Sequence, residues 1–432
     1  MMTIGDAPVR VALLGCGVVG SQVARILVEQ ADDLAERVGR PLELVGIGVR
    51  RTIPRPGIDP ALLTTDVPAL VRREDVDIVV ELVGGVEPTL DYLLDAIRAG
   101  KSVVTANKAL LAQHGDAIFD AARDSDVDVY YEAAVAGAIP IIRPLRESLV
   151  GDAITSVLGI VNGTTNYILD QMHTRKSTFA DALAEAQALG YAEADPTADV
   201  EGYDAAAKAA ILASLAFHTR VHLDDVDRDG ISAIAVADIA AAERLGCVVK
   251  LLARCTVSED GTVAVGVHPT MVPLEHPLAG IRGAYNAIFV ESVNAGRLMF
   301  MGPGAGGSPT ASAVLGDIVT AARNRVRGVS GPGESAYSSP GITPAGAVRS
   351  RYYLSVTVRD EPGVLARVAE AMARQEISIA AVRQEQIDEG GWAHLGVTTH
   401  EAAHDAVQAV VAHLLGTDDV HGDVRVLRVE GA

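Results

Sequence analysis

The sequence predicts an α/β protein: a doubly wound parallel sheet near the N-terminus, an α+β region, and a small C-terminal βαββαβ module. Three observations carry that expectation. Short β-prone runs alternate with helical patterns over the first 140 residues. A Gly15-x-Gly17-x-x-Gly20 loop joins the first of those strands to the first helix. A stretch rich in Gly, Pro and Ser at 328–346 precedes six elements in the order strand, helix, strand, strand, helix, strand.

The alternation begins with the apolar run 9–14, the glycine loop and a helix over 21–29. A second strand at 42–49 ends at Arg50-Arg51, and a third at 76–82 ends at Gly84-Gly85. Residues 91–99 read as a helix stopped by Gly100. A short strand at 102–105 leads through Ala106-Asn107-Lys108 into another helix, and 127–131 is one more strand. Parallel strands need helical crossovers, which this pattern supplies. Between 141 and 304, alanine-rich helical stretches at 179–189 and 203–217 stand beside β-prone pieces at 154–161, 263–267 and 286–290. Cys247 and Cys255 fall in an apolar pattern that reads as helical. Gly302-Pro303-Gly304-Ala305-Gly306-Gly307 precedes a helix over 310–323. The expected domains are therefore 1–140, with 305–327 returning to it; 141–304 for substrate and dimerisation; a linker at 328–349; and a module at 350–432. That last module has the ferredoxin-like order of elements.

Composition narrows the function classes. The chain has 432 residues, 49% hydrophobic and 21% charged, which suits several packed cores rather than disorder. Its net charge of −20 repels phosphate backbones and anionic lipid, which argues against nucleic acid or a membrane surface as partner. Residues 1–8 lack a basic segment before an apolar run, and no apolar run approaches the roughly 18 residues that span a bilayer. Three cysteines without a Cys-x-x-Cys make disulfides and structural zinc poor readings and suit a cytoplasmic protein.

The glycine loop has the context that a dinucleotide fingerprint requires, between a strand and a helix. Gly15 permits the tight turn, Gly17 lets the backbone approach a pyrophosphate, and Gly20 allows close helix–strand packing. Val18 and Val19 open the helix whose free N–H groups and dipole favour phosphate. NAD sites usually carry an acid at the end of the second strand. Arg50 and Arg51 stand there instead, which favours NADP, with NAD the alternative.

The stretch 186–208 is the most informative. Asp204 and Lys208 are four apart on a helical pattern and share a face. Such spacing usually marks a surface ion pair. Here Ala205, Ala206, Ala207, Ala209, Ala210, Ile211 and Leu212 make the helix apolar nearly all round, so the pair is expected to be buried and functional.

Here the chain resembles the homoserine dehydrogenase family. Its signature runs from an alanine and a glycine four residues apart (Ala186, Gly190), through Asp195-Pro196-x-x-Asp199, to Gly202-x-Asp204-x-x-x-Lys208. The resemblance extends to Thr105-Ala106-Asn107-Lys108, to 132–140, to Asn162-Gly163-Thr164-Thr165-Asn166, and to Gly302-Pro303-Gly304-Ala305-Gly306. It implies an enzyme that reduces L-aspartate 4-semialdehyde to L-homoserine with NADPH or NADH, for threonine, methionine and isoleucine synthesis. By the resemblance, Lys208 is the proton donor, and Lys108 lies by cofactor and substrate. Glu193, Asp199 and Asp204 hold substrate polar groups. Gly190, Gly304 and Gly306 approach the cofactor. Glu132, with the backbone carbonyls of Val135, Gly137 and Ile139, forms a sodium or potassium site. A homodimer or homotetramer is expected.

The chemistry is coherent by itself. Hydride addition to an aldehyde builds negative charge on oxygen, and a nearby lysine stabilises it and gives a proton. No cysteine has an activating partner for thioester chemistry. The C-terminal module, with Asp360-Glu361-Pro362-Gly363 at its first strand–helix turn, resembles the ACT domain. That implies an amino-acid effector, with threonine the end-product candidate, or a dimerisation role without ligand. Shorter family members lack the module, so catalysis is not expected to need it. The rival readings are a non-catalytic sensor of nucleotide and amino acid, and a different amino-acid oxidoreductase on the same fold.

Overall fold

The computed structural model describes residues 7–258, 260–334, 338–386 and 391–431. The chain falls into two compact units. The first comprises Met1–Gly163, Asp204–Asp224 and Ala284–Pro340; the second comprises Thr164–Tyr203, Asp225–Gly283 and Gly341–Ala432.

In the first unit, β1 (Val9–Leu14), β2 (Leu42–Gly48), β3 (Leu63–Thr64), β4 (Ile78–Glu81), β5 (Ser102–Thr105) and β6 (Val129–Tyr130) form one sheet. Its order is β3-β2-β1-β4-β5-β6, with every neighbouring pair parallel. All four residues of β4 and all four of β5 are buried, which is why both read as continuous apolar runs rather than alternating ones. The crossovers are α1 (Val18–Glu29), α2 (Ala31–Val38), α3 (Val67–Arg72), α4 (Thr89–Arg98) and α5 (Lys108–Ser125). Strand order reverses between β1 and β4, so a crevice opens at their carboxyl ends, where the glycine loop lies.

The same unit holds β7 (Ile154–Ile160), the start of α6 (Gly163–Arg175), nearly all of α9 (Tyr203–Ala216), β11 (Tyr285–Ser292), β12 (Gly296–Pro303) and α11 (Gly307–Arg327). β11 pairs antiparallel with both β7 and β12. α11 puts Ala311, Val314 and Ile318 into one core with Val23 and Leu27 of α1. α9 is buried along nearly its whole length, as an alanine-rich helix without a polar face should be.

The second unit contains α7 (Phe179–Ala188), α8 (Thr197–Val200), β8 (Asp227–Arg228), α10 (Val236–Arg244), β9 (Cys247–Val257) and β10 (Val263–Pro273). It continues with β13 (Arg349–Arg359), α12 (Val364–Arg374), β14 (Ile379–Gln386), β15 (Trp392–Thr399), β16 (Ala402–Ala403), α13 (His404–Leu415) and β17 (Val420–Val429). Strands β9-β10-β17-β13-β15-β14 lie side by side, and α12 and α13 bury Val368, Met372, Val407 and Val410 against Tyr352, Leu354 and Val356. The C-terminal module has the expected βαββαβ order. It is not a detached appendage: β17 pairs in parallel with β10, Thr270 against Arg428 and Met271 against Val429.

One local reading is corrected. Cys247 and Cys255 lie on strand β9, not on a helix. Burial from Cys247 through Ala253 leaves no polar alternation, and such a run carries no periodicity by which to tell strand from helix. Among the described residues, no helix is long and apolar enough to cross a membrane.

Candidate active site

The β1–α1 turn shows why its glycines are needed. Gly15 has φ +101°, and a Cβ there would sit 2.8 Å from the Leu82 carbonyl oxygen. A Cβ on Gly20 would sit 2.3 Å from the Gly15 oxygen, whereas one on Gly17 would meet nothing within 4 Å. The fold thus demands glycine at 15 and 20, while position 17 faces open space. Gly17 caps α1 without a side-chain bond, so the first-turn N–H groups of Val18, 75% exposed, and half-buried Val19 stay available. The loop before α11 closes on this turn: a Cβ on Gly307 would lie 3.1 Å from the Val18 oxygen. Gly306, φ +124°, caps α11, and Gly304 presses on the buried Asn286 amide, 2.2 Å from where its own Cβ would be. Gly190 lies in the second unit, in the turn after α7.

Arg50 and Arg51 are exposed just beyond β2. Arg55, which sequence reasoning missed, is half-buried, and its Nε is buried without a hydrogen-bond partner among the described residues. Burial pushes the Cys16 thiol up, and the Arg55 guanidinium pulls it partly back. Arg55 sits in an irregular Pro- and Gly-containing stretch with no period to flag it.

A hydrogen-bond chain sets Lys108. Glu81, fully buried at the end of β4, accepts from Val83 and Gly84 N–H (2.8 and 2.9 Å) and from the Thr105 hydroxyl (2.6 Å). Thr105 Oγ1 accepts from Asn107 N–H at 3.0 Å. Asn107 Oδ1 then caps α5 through Leu110 N–H at 3.1 Å, and its amide donates to Gly85 O at 2.6 Å. Lys108 is therefore the first residue of α5, with its Nζ 2.8 Å from Asp204 Oδ1. Lys208 Nζ, buried on α9, donates to Asp204 Oδ2 and to Val161 O, each at 2.7 Å. Asn162 Nδ2 donates to Asp204 Oδ2 at 2.9 Å. Burial alone would push the Asp204 carboxyl up, but the Lys208 and Lys108 ammonium groups overcome it and hold it well below the usual carboxylate range. One carboxylate thus fixes two ammonium groups. The structure brings Lys208, Asp204 and Lys108 together and adds Asn162 and Val161 O. Glu193, exposed, and Asp199, half-buried on α8, belong to the second unit.

Glu132 opens a short helical turn just after β6. Its buried carboxylate accepts from the N–H groups of Ile141, Ile142 and Arg143 at 2.6, 2.7 and 3.1 Å. Asp317 accepts from Glu132 N–H at 2.8 Å and from the Arg143 guanidinium. Burial pushes the Asp317 carboxyl up to about 7, against the pull of Arg143 and with the push of Glu132. Among the described residues, the carbonyls of Val135, Gly137 and Ile139 accept no backbone hydrogen bond. The Glu132 carboxylate is thus taken by three backbone N–H groups, and Asp317 pairs with the Arg143 guanidinium. Among the described residues, no three His, Cys, Asp or Glu side chains converge as a metal site.

A parallel sheet in this strand order, a glycine loop at its reversal point and two lysines on one carboxylate, the first of them just after β5, define a nicotinamide-dependent oxidoreductase. Family models described as "Homoserine dehydrogenase", "Homoserine dehydrogenase, NAD binding domain" and "ACT domain" match residues 140–319, 15–132 and 352–416. A homoserine dehydrogenase of Mycobacterium bovis is 56% identical, over 99% of this chain and 98% of its own length. The crystal structure of a homoserine dehydrogenase from Thiobacillus denitrificans superposes with a TM-score of 0.93 at 39% identity, covering 99% of both chains. A hyperthermophilic archaeal homoserine dehydrogenase in complex with NADPH matches 73% of this chain and 98% of its own, at 27% identity and a TM-score of 0.62. The chain belongs to the homoserine dehydrogenase family. The sensor and the unrelated oxidoreductase are not favoured.

Proposed function

We propose that the protein reduces L-aspartate 4-semialdehyde to L-homoserine with NADPH, in the cytoplasm, and that Lys208 gives the proton. The convergence of Lys208 and Lys108 on the Asp204 carboxylate carries this reading. A bound nicotinamide would supply the hydride that the aldehyde carbon accepts. Lys208, hydrogen-bonded to Asp204 and aimed by Val161 O, stabilises the negative charge that develops on the aldehyde oxygen and then protonates it. Lys108, less buried, sits at the mouth of the same group and orients substrate and cofactor. Glu193, Asp199 and Asp204 take the substrate's ammonium.

Gly15, Gly17, Gly20, Val18 and Val19 form the pyrophosphate turn, with Gly190, Gly304 and Gly306 bordering the cofactor. Arg50 and Arg55 favour the 2′-phosphate of NADP. Glu132 with the Val135, Gly137 and Ile139 carbonyls holds sodium or potassium in a structural role. The C-terminal module takes threonine as effector, and the chain works as a homodimer or homotetramer.

The test is oxidation of NADPH and of NADH with L-aspartate 4-semialdehyde, with and without L-threonine. Turnover faster with NADPH, and slowed by threonine, is expected. A folded sample that binds nucleotide yet turns over with neither cofactor refutes the reading.

A further inference from the structure

The second unit contains a cleft of about 500 Å³ that the catalytic chemistry does not use. Its lining joins residues around β8 and β10 to residues of β13, α13 and β17. Two lining groups are buried yet have no hydrogen-bond partner among the described residues: the hydroxyl of Tyr352, a residue 1% exposed, and Nδ1 of His404. Such groups are costly to bury unpaired, and a ligand that pairs them recovers that cost. Arg428 lies over the Tyr352 ring at 5.7 Å, buried and held by Asp227 and by His268 Nε2, each at 3.0 Å.

The same cleft carries carboxylates in excess. Asp238 is taken by Arg425. Glu201, Asp229 and Asp423 also line it, and none forms a salt bridge among the described residues. A ligand with only a positive or only a negative end would answer half of this lining. A small zwitterion answers both halves, and the volume lies within the usual range for small-molecule sites.

We propose that this cleft binds a free α-amino acid. Its ammonium pairs with the carboxylates of Glu201, Asp229 and Asp423. Its carboxylate takes the Tyr352 hydroxyl, His404 and the remaining donors of Arg428. The site is distinct from the Asp360–Gly363 turn, which does not line the cleft. It has a route to turnover along the chain. Glu201 precedes Asp204 by three residues, its carbonyl accepts from Arg228 at 3.0 Å, and Arg228 stacks on Tyr203 at 3.4 Å. This coupling, unlike the binding, rests on the catalytic reading of Asp204.

The experiment is calorimetric titration of the full chain with each of the twenty common amino acids, with putrescine and with acetate. At least one amino acid is expected to bind, and putrescine and acetate are not. Tyr352→Phe and Asp423→Asn should each weaken that binding about tenfold, as expected for one lost hydrogen bond to a charged group. Asp360→Ala and Lys208→Met should leave it unchanged. Turnover of Tyr352→Phe without added amino acid should match wild type. The proposal is overturned if no amino acid binds, if putrescine or acetate binds as well, or if Tyr352→Phe and Asp423→Asn both spare the binding, whatever Asp360→Ala does to it. Binding measured this way stands whether or not the enzyme reduces the semialdehyde, so the two readings fail separately.

Discussion

Replacing Lys208 by methionine removes one ammonium while keeping the length and most of the volume of the side chain. That ammonium has two duties in the proposed reaction. Proton donation is worth about 10²–10⁴-fold, and stabilising the developing oxyanion about 10²–10³-fold. One group serves both, so the two overlap, and kcat/KM should fall about 10³–10⁵-fold, or about 4–7 kcal/mol of transition-state stabilisation. The fold should survive. Breaking a buried ion pair costs about 3–5 kcal/mol when the remaining charge is stranded. Asp204 is not stranded, because Lys108 stays 2.8 Å away and Asn162 2.9 Å. The loss of stability should therefore fall below that range. Steady-state kinetics, thermal unfolding and NADPH titration by fluorescence separate these effects. Lys208→Met turning over within tenfold of wild type would refute the assignment. So would a variant that fails only because it no longer binds NADPH.

Asp204→Asn should be less stable than wild type at pH 7. The wild-type carboxyl is held below its ordinary 3.8, so its contribution is present above that value and fades as pH falls through the folded one. Denaturant midpoints of the two proteins should thus converge in acid; a gap that persists there would contradict the pairing. Burial pushes Lys250 down to about 8 from 10.5, while its Nζ donates to Asn166 Oδ1 and Ile281 O. The folded state sheds that proton first, so stability relative to Lys250→Met should rise by about 3 kcal/mol as pH climbs from 8 to 10.5. A flat difference over that window would refute the buried lysine. Gly17→Ala should fold normally yet bind NADPH weakly, whereas Gly20→Ala should lose stability, since its Cβ would meet the Gly15 oxygen at 2.3 Å. Equal unfolding temperatures for the two variants would contradict the loop geometry. Truncation after residue 340 removes β17 from the edge of β10 and Arg425 from buried Asp238, so the shortened chain should unfold at lower temperature or aggregate. Unchanged melting would show the module to be a mere appendage.

The sequence by itself determined what near neighbours encode. A tight turn between strand and helix needs glycine at particular positions, so the Gly15–Gly20 loop was legible without coordinates. Four-residue spacing on an apolar helix placed Asp204 and Lys208 on one buried face, because that face depends only on helical periodicity and side-chain chemistry. Resemblance along the chain supplied the substrate class, which composition and spacing alone would not have. Only the tertiary structure decided which distant groups meet. It put Lys108 on the second oxygen of Asp204, through a chain of bonds from Glu81 and Thr105 that has no local pattern. It joined β17 to β10, and it made a strand of the apolar run that reads as a helix around Cys247. The reason is physical. Periodicity reports which side of an element is buried, but the partner across that surface is chosen by nonlocal packing and by which charge compensates which, and neither is written in adjacent residues.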